Sequence, residues 1–200
     1  MTIIFASNNI SKLQEIRKAF ESENIEIKSL DDVGLTNFDI EETGQTYAEN
    51  AFIKAKAVYE RTGIPAIGDD SGIEVDYLNG EPGVFSHRWH GNDDPCQKMI
   101  NALKGVPYEK RKAHYKTTLC YYNGNELYVD DVIHGHLLEE AKGHKGFSYD
   151  GIFLPDGFDK TFGELNLDVK NEISARGKAA RRMAQFILAE EELMTEKVPE

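Results

Sequence analysis

Apolar residues recur along this chain at two different periods, and the points where the period changes divide it into elements. Thr2 to Ala6 is a short apolar run that predicts a strand. Ile10, Leu13, Ile16 and Phe20 follow at helical spacing and leave Lys12, Glu15 and Arg17 off the apolar stripe, so Ser7-Asn8-Asn9 reads as the turn that opens a helix. Thr46 and Glu49 form a capping-box pattern ahead of a second helix, which carries Ala51, Phe52, Ala55, Val58 and Tyr59 on one face and Lys54 away from it. Asp94-Pro95 marks a third helix start, with Met99, Ile100 and Leu103 on its inner side. The period then drops to two. Ala113, Tyr115, Thr117, Leu119 and Tyr121 alternate as in a strand, Asn123-Gly124 signals a hairpin, and Leu127 to Ile133 returns. Ser174 begins a last helix with Ala179, Ala180, Met183, Phe186 and Ile187 inward, and the acidic tail after Glu190 is expected to fray. Strand and helix signals alternate without repeats or a long linker, which predicts one mixed α/β domain over residues 1–200.

Charge narrows the partners. The 200 residues hold 35 acids against 23 bases, a formal charge of −12, so a broad basic surface for nucleic acid or an anionic membrane is missing. Any phosphate must be met by a local basic cluster or a metal. No apolar run reaches the roughly 18 residues that span a bilayer, and Met1 to Ala6 is too short for a signal-peptide core. On those two grounds a cytoplasmic protein is expected, and Cys96 and Cys120, which form no paired motif, are expected as ordinary reduced thiols.

The densest chemistry is Gly68-Asp69-Asp70-Ser71-Gly72, just after the apolar stretch Ile64-Pro65-Ala66-Ile67. Adjacent carboxylates repel and are costly to bury, so the pattern implies a cation or a proton to be placed there. The bland alternative is an acidic turn capping a strand, since Asp, Ser and Gly are ordinary turn residues. A second feature is the strand-to-helix turn at Ser7-Asn8-Asn9. Free N–H groups and the positive end of the helix dipole suit a phosphate there, and Lys12 on the first turn reaches the same place. The alternative is a plain cap.

In order and spacing, Ser7-Asn8-Asn9 with Lys12 and Glu15, Glu41-Glu42-Thr43-Gly44 leading to Glu49-Asn50-Ala51 and Lys54, Gly68-Asp69-Asp70-Ser71-Gly72, and Pro82-Gly83-Val84 resemble the inosine/xanthosine triphosphate pyrophosphatase family. Phe147-Ser148-Tyr149-Asp150, Lys170 and Ser174-Ala175-Arg176 extend the resemblance over nearly the whole chain. It implies an elongated mixed sheet flanked by helices, two lobes with a central active-site cleft, and a homodimer. It also implies Mg2+-dependent hydrolysis of non-standard purine nucleoside triphosphates (ITP, dITP, XTP) to monophosphate and pyrophosphate, removing deaminated nucleotides from the pool. Carried over position by position, Asp70 is the general base and a metal ligand, and Glu42 is the second carboxylate around magnesium, with Glu41 as runner-up. Asp69 is either a ligand or a residue that holds the turn. Ser7, Asn8, Asn9, Lys12, Lys54 and Ser71 would hold the phosphates. Phe147 would stack on the purine, and Ser148, Tyr149, Asp150, Lys170 and Arg176 would line the base end.

Four positions depart from the family pattern. Ala175 stands where the family has histidine, Ser148 where it has glycine, Gly151 where it has proline, and His87 where it commonly has a small residue. All four bear on base selectivity rather than on the carboxylates, because a site that discriminates by hydrogen bonding loses leverage when a donor is missing. His87 either compensates or is a surface histidine. The alternatives to the main reading are a related pyrophosphatase with altered base preference and a nucleotide-binding regulatory protein. His134, His136 and His144 are weaker candidates for a metal set.

Overall fold

The computed structural model describes the backbone of residues 1–195 and side chains through residue 193. β1 (Thr2–Phe5) buries Ile3, Ile4 and Phe5 completely and gives way to α1 (Ile10–Ala19), whose N-terminus is capped by Asn9 accepting from Lys12 N at 3.1 Å. β2 (Glu26–Lys28) follows, then α2 (Tyr47–Thr62), which starts at the Thr46/Glu49 capping box and ends at Gly63 with φ 70°. β3 (Ala66–Val75) leads to the single turn α3 (Ser86–Trp89) and to α4 (Pro95–Ala102), capped by Asp94. β4 (Lys112–Tyr122) and β5 (Glu126–Leu137) form the expected hairpin, β6 (Phe153–Pro155) joins its far edge, and α5 (Leu167–Ile173) and α6 (Ala175–Thr195) close the order.

The sheet runs β2-β1-β3-β4-β5-β6. Its first three strands are parallel and the rest antiparallel, the mixed sheet that the sequence predicts. Two large apolar clusters occupy its two ends. One gathers β1, α1 and α6 around Ile67; the other gathers α4 and the region around Tyr149, Phe153 and Phe162 against Ile73 and Val75. β3 therefore runs from one core into the other, and Asp69, Asp70 and Ser71 occupy the gap between them.

Several expectations change. Gly68-Asp69-Asp70-Ser71-Gly72 is the interior of a ten-residue strand, not a turn, because β4 pairs with it residue by residue. Ile10 is 71% exposed, since as the first residue of α1 it lies ahead of the core, and Glu15 is buried instead. Lys54 is buried on the Asn50–Val58 side of α2, where the four-residue spacing places it on one face with both. Phe186 is 53% exposed because α6 buries Met183, Ala184 and Ile187, and one residue of offset turns it outward. β5 extends to Leu137, and β2, β6, α3 and α5 are too short or too polar to stand out by period. α6 continues through Glu190 to Thr195, and the rest of the acidic tail lies outside the described residues.

Candidate active site

A cavity of about 740 Å3 opens over the middle of β3, and every residue expected at the site except Asp69 lines it. At one end stands the N-terminus of α1. Ser7 Oγ accepts from Asn9 N at 3.1 Å, Asn8 reaches across to Phe38 O at 3.1 Å, and Lys12 projects from the first turn. The first turn of α1 carries no acid, so its dipole remains favourable to an anion, while the Lys12 N–H is already met by the Asn9 cap.

Side chains on a strand alternate between faces, so Asp69 and Asp70 point to opposite sides of the sheet. Asp70 meets α2. Its Oδ2 accepts from Asn50 Nδ2 at 3.1 Å, and Lys54 Nζ lies 3.9 Å from Oδ1. Lys54 also bonds Glu42 at 2.6 Å, so one ammonium bridges the two carboxylates expected to hold metal. Arg88 fixes the Glu42 backbone by donating to its carbonyl at 2.6 Å. Burial pushes the Asp70 carboxyl up to about 6, with Glu42 adding to the rise and Lys54, Lys12 and the Asn50 hydrogen bond opposing it.

Asp69 meets α1 and α6. It is fully buried, accepts from Arg176 Nε at 2.7 Å and from Lys12 Nζ at 2.6 Å, and does not line the cavity. Burial alone would raise its acid range, but Arg176 and Lys12 together hold it well below the ordinary carboxylate value. The choice between ligand and turn holder resolves to neither. Asp69 is the buried anchor of two cavity cations.

The other end of the cavity is built on Phe147. Lys170 Nζ lies 5.2 Å from its ring centre and the Arg176 guanidinium 5.6 Å. Asp150 accepts from Phe147 N at 2.8 Å and from Lys170 at 2.7 Å, while Tyr149 donates to Ser86 O at 2.8 Å. Ser148 sits between them at φ 56°, in the left-handed region that glycine favours, where the resembled pattern has glycine. Ser71 Oγ accepts from Arg176 Nη2 at 2.8 Å, which links this end to β3.

The sequence names Glu15 as part of the resembled motif but gives it no role. It accepts from Lys170 at 2.9 Å and from Arg176 Nη1 at 3.0 Å, and so sets both cations that flank Phe147. Its position beside Ile16 on the inner face of α1 was the available signal. Asn50, four residues before Lys54, is likewise named in the motif without a role, and Arg88 and His90, which line the cavity with His87, were missed. His87 and Ala175 both face the cavity, and His87 is exposed there, edge-on to His90 at 5.5 Å.

Glu42 and Asp70 suit magnesium, which uses one or two carboxylates together with substrate phosphates. Among the described residues no three His, Cys, Asp or Glu side chains converge on a metal position, which removes the His134, His136 and His144 set. Both cysteines are free and buried, and among the described residues no helix is long and apolar enough to cross a membrane.

Known proteins are similar to this chain over nearly its full length. A protein of Caldanaerobacter subterraneus subsp. tengcongensis described as a dITP/XTP pyrophosphatase is 41% identical over 195 residues, covering 94% of this chain and 96% of its own. The Bacillus subtilis protein of the same description is 38% identical over 192 residues, covering 93% and 96%. The solved HAM1 protein of Coxiella burnetii superposes with a TM-score of 0.82 at 34% identity, covering 94% of this chain and 99% of that one. With the sequence model of the Ham1 family matching residues 3–186, the chain belongs to the Ham1 family.

Proposed function

We propose that this chain is a nucleoside triphosphate pyrophosphatase that hydrolyses non-standard purine nucleotides such as dITP and XTP to monophosphate and pyrophosphate. The observation that carries the reading is the division of one cavity into a phosphate end and a base end with a raised-pKa carboxylate between them. A triphosphate brings about four negative charges, and its hydrolysis is accelerated by neutralising them and aligning a water with the leaving group. Lys12, Lys54, Ser7, Asn8, Asn9, Ser71 and the N-terminal end of α1 hold the phosphates.

Asp70, whose acid range burial raises above that of an ordinary aspartate before any cation binds, accepts the proton of the attacking water. Glu42 and Asp70 would hold magnesium, which would neutralise developing charge on the phosphate oxygens. Phe147 stacks on the purine, with Lys170 and Arg176 behind its ring and Ser148, Tyr149 and Asp150 shaping the same end. The enzyme acts as a cytoplasmic homodimer that removes deaminated nucleotides from the pool, and residues 1–200 form one folding unit.

The test is product identity. Incubation with XTP and Mg2+, followed by ion-exchange chromatography, should give monophosphate and pyrophosphate in equal amounts. Orthophosphate released through a diphosphate would place attack at the γ position and overturn the reading. Tight nucleotide binding without turnover would favour a regulatory protein. Ala175 and His87 together favour a second reading, altered base preference within the same chemistry, which relative kcat/KM across ITP, XTP, ATP and GTP separates from the first.

A further inference from the structure

Past the cavity, the far end of β3 carries a second polar site that shares no residue with the first. Glu74, His114 and His134 are in register across β3, β4 and β5, so all three project from one face of the sheet. They form a chain. The Tyr47 hydroxyl donates to Glu74 Oε1 at 3.1 Å, and Glu74 Oε2 lies 3.0 Å from His114 Nε2. The His114 and His134 ring centres are 5.3 Å apart, and His134 is exposed. Around them lies a cavity of about 200 Å3 whose lining includes Asp76, Asp156 and Lys112, two carboxylates to one ammonium.

We propose that His114 and His134 chelate a borderline-soft divalent transition cation, zinc being the type, with Glu74 as the carboxylate that orients His114. A metal-binding histidine characteristically gives its other ring N–H to a carboxylate, which fixes the tautomer and raises the basicity of the binding nitrogen. Glu74 occupies Nε2 in this way and leaves the lone pair of His114 Nδ1 available, while Tyr47 fixes the carboxylate. The spacing agrees. A zinc ion about 2.1 Å from one nitrogen of each ring, at the tetrahedral angle, sets the ring centres roughly 5.3 Å apart. Since no third protein ligand converges among the described residues, water fills the remaining positions, and the site is an exchangeable one rather than a structural zinc cage. Magnesium does not compete, because it takes oxygen ligands in octahedral geometry and imidazole suits zinc, copper and nickel.

Zinc chloride alone, titrated into the full chain without nucleotide and followed by long-range 1H–15N NMR of the imidazoles and by competition with a chromogenic chelator, tests this. The expected result is one ion per chain, with the ring resonances of His114 and His134 shifting together. His134→Ala, on an exposed side chain that the fold does not need, should weaken binding at least tenfold. Glu74→Gln should weaken it by on the order of tenfold while leaving both imidazoles in place. Zinc binding to His134→Ala with the parent affinity would overturn the proposal. So would a titration that moves His87 and His90 instead, or one in which no imidazole responds.

Discussion

Asp70 works against the stability of the fold that carries it. Its folded pKa of about 6 lies above its ordinary value of 3.8, so between those values the folded chain binds more protons than the unfolded one. Stability is then lost as the pH rises from about 4 through about 6, and the cost is fully present at neutrality. Asp70→Asn should therefore be more stable than the parent at pH 7.5 in metal-free buffer, by on the order of 3 kcal/mol, and unfold at a higher temperature, with the gap closing toward pH 4. The same variant should lose on the order of 10²-fold in kcat, the scale of a lost general base. Calorimetry across that pH range checks the first expectation and steady-state kinetics the second. A parent at least as stable at pH 7.5 would mean that Asp70 is not held in a strained state. The sequence marks Asp70 through its neighbour Asp69, yet the two never act as a pair. Which of them reaches the cavity depends on which face of β3 each takes, and that is decided by strand pairing with β1 and β4, far away in sequence.

At the scale of elements, the site depends on α2 lying directly on β3. Gly68 and Gly72 flank Asp70 on its own face of the strand, and both are pressed by backbone: Gly68 by the Ala51 carbonyl and by Ala55 N, Gly72 by the Gly83 carbonyl. That contact brings Asn50 and Lys54 within reach of Asp70. A Cβ on Gly68 would stand 2.9 Å from Ala55 N and overlap the Ala51 carbonyl, so α2 must move away. Gly68→Ala should cost about 1–3 kcal/mol and lower kcat, because Lys54 and Asn50 withdraw from Asp70 together. Gly151→Ala is the control. Its nearest neighbours would be an ordinary 3.5 Å from the new Cβ, and urea unfolding should show little change. A Gly68→Ala protein with the stability and turnover of the parent would remove the packing argument. The glycines were visible in the sequence, as were the capping box of α2 and the hairpin at Asn123-Gly124, because these signals are local. Burial of Lys54 was not visible, since it follows from Glu42 and Asp70 arriving from two other segments.

Across the whole molecule, the two apolar cores are joined by a buried network of three acids and three bases. Glu15 on α1 holds Lys170 of α5 and Arg176 of α6, Lys170 holds Asp150, and Arg176 and Lys12 hold Asp69 on β3. Burial alone would raise the acid range of Glu15, but Arg176 and Lys170 lower it below the ordinary 4.5. The sign is opposite to that of Asp70. A depressed carboxylate contributes stability that is present above its unfolded value and is lost as the pH falls below it. Glu15→Gln keeps the shape and removes the charge, leaving Lys170 with Asp150 alone and Arg176 with Asp69 alone. It should cost about 3 kcal/mol at pH 7.5, the scale of breaking one partner out of a buried ion network, and the difference from the parent should shrink as the pH drops below about 4.5. Urea unfolding at a series of pH values between 3.5 and 8 checks this beside Asp70→Asn. One variant should lie below the parent at neutral pH and the other above it, both approaching it in acid. A loss for Glu15→Gln that is constant across the series would assign Glu15 to packing and hydrogen bonding, and the charge balance between the two cores would not be what couples them.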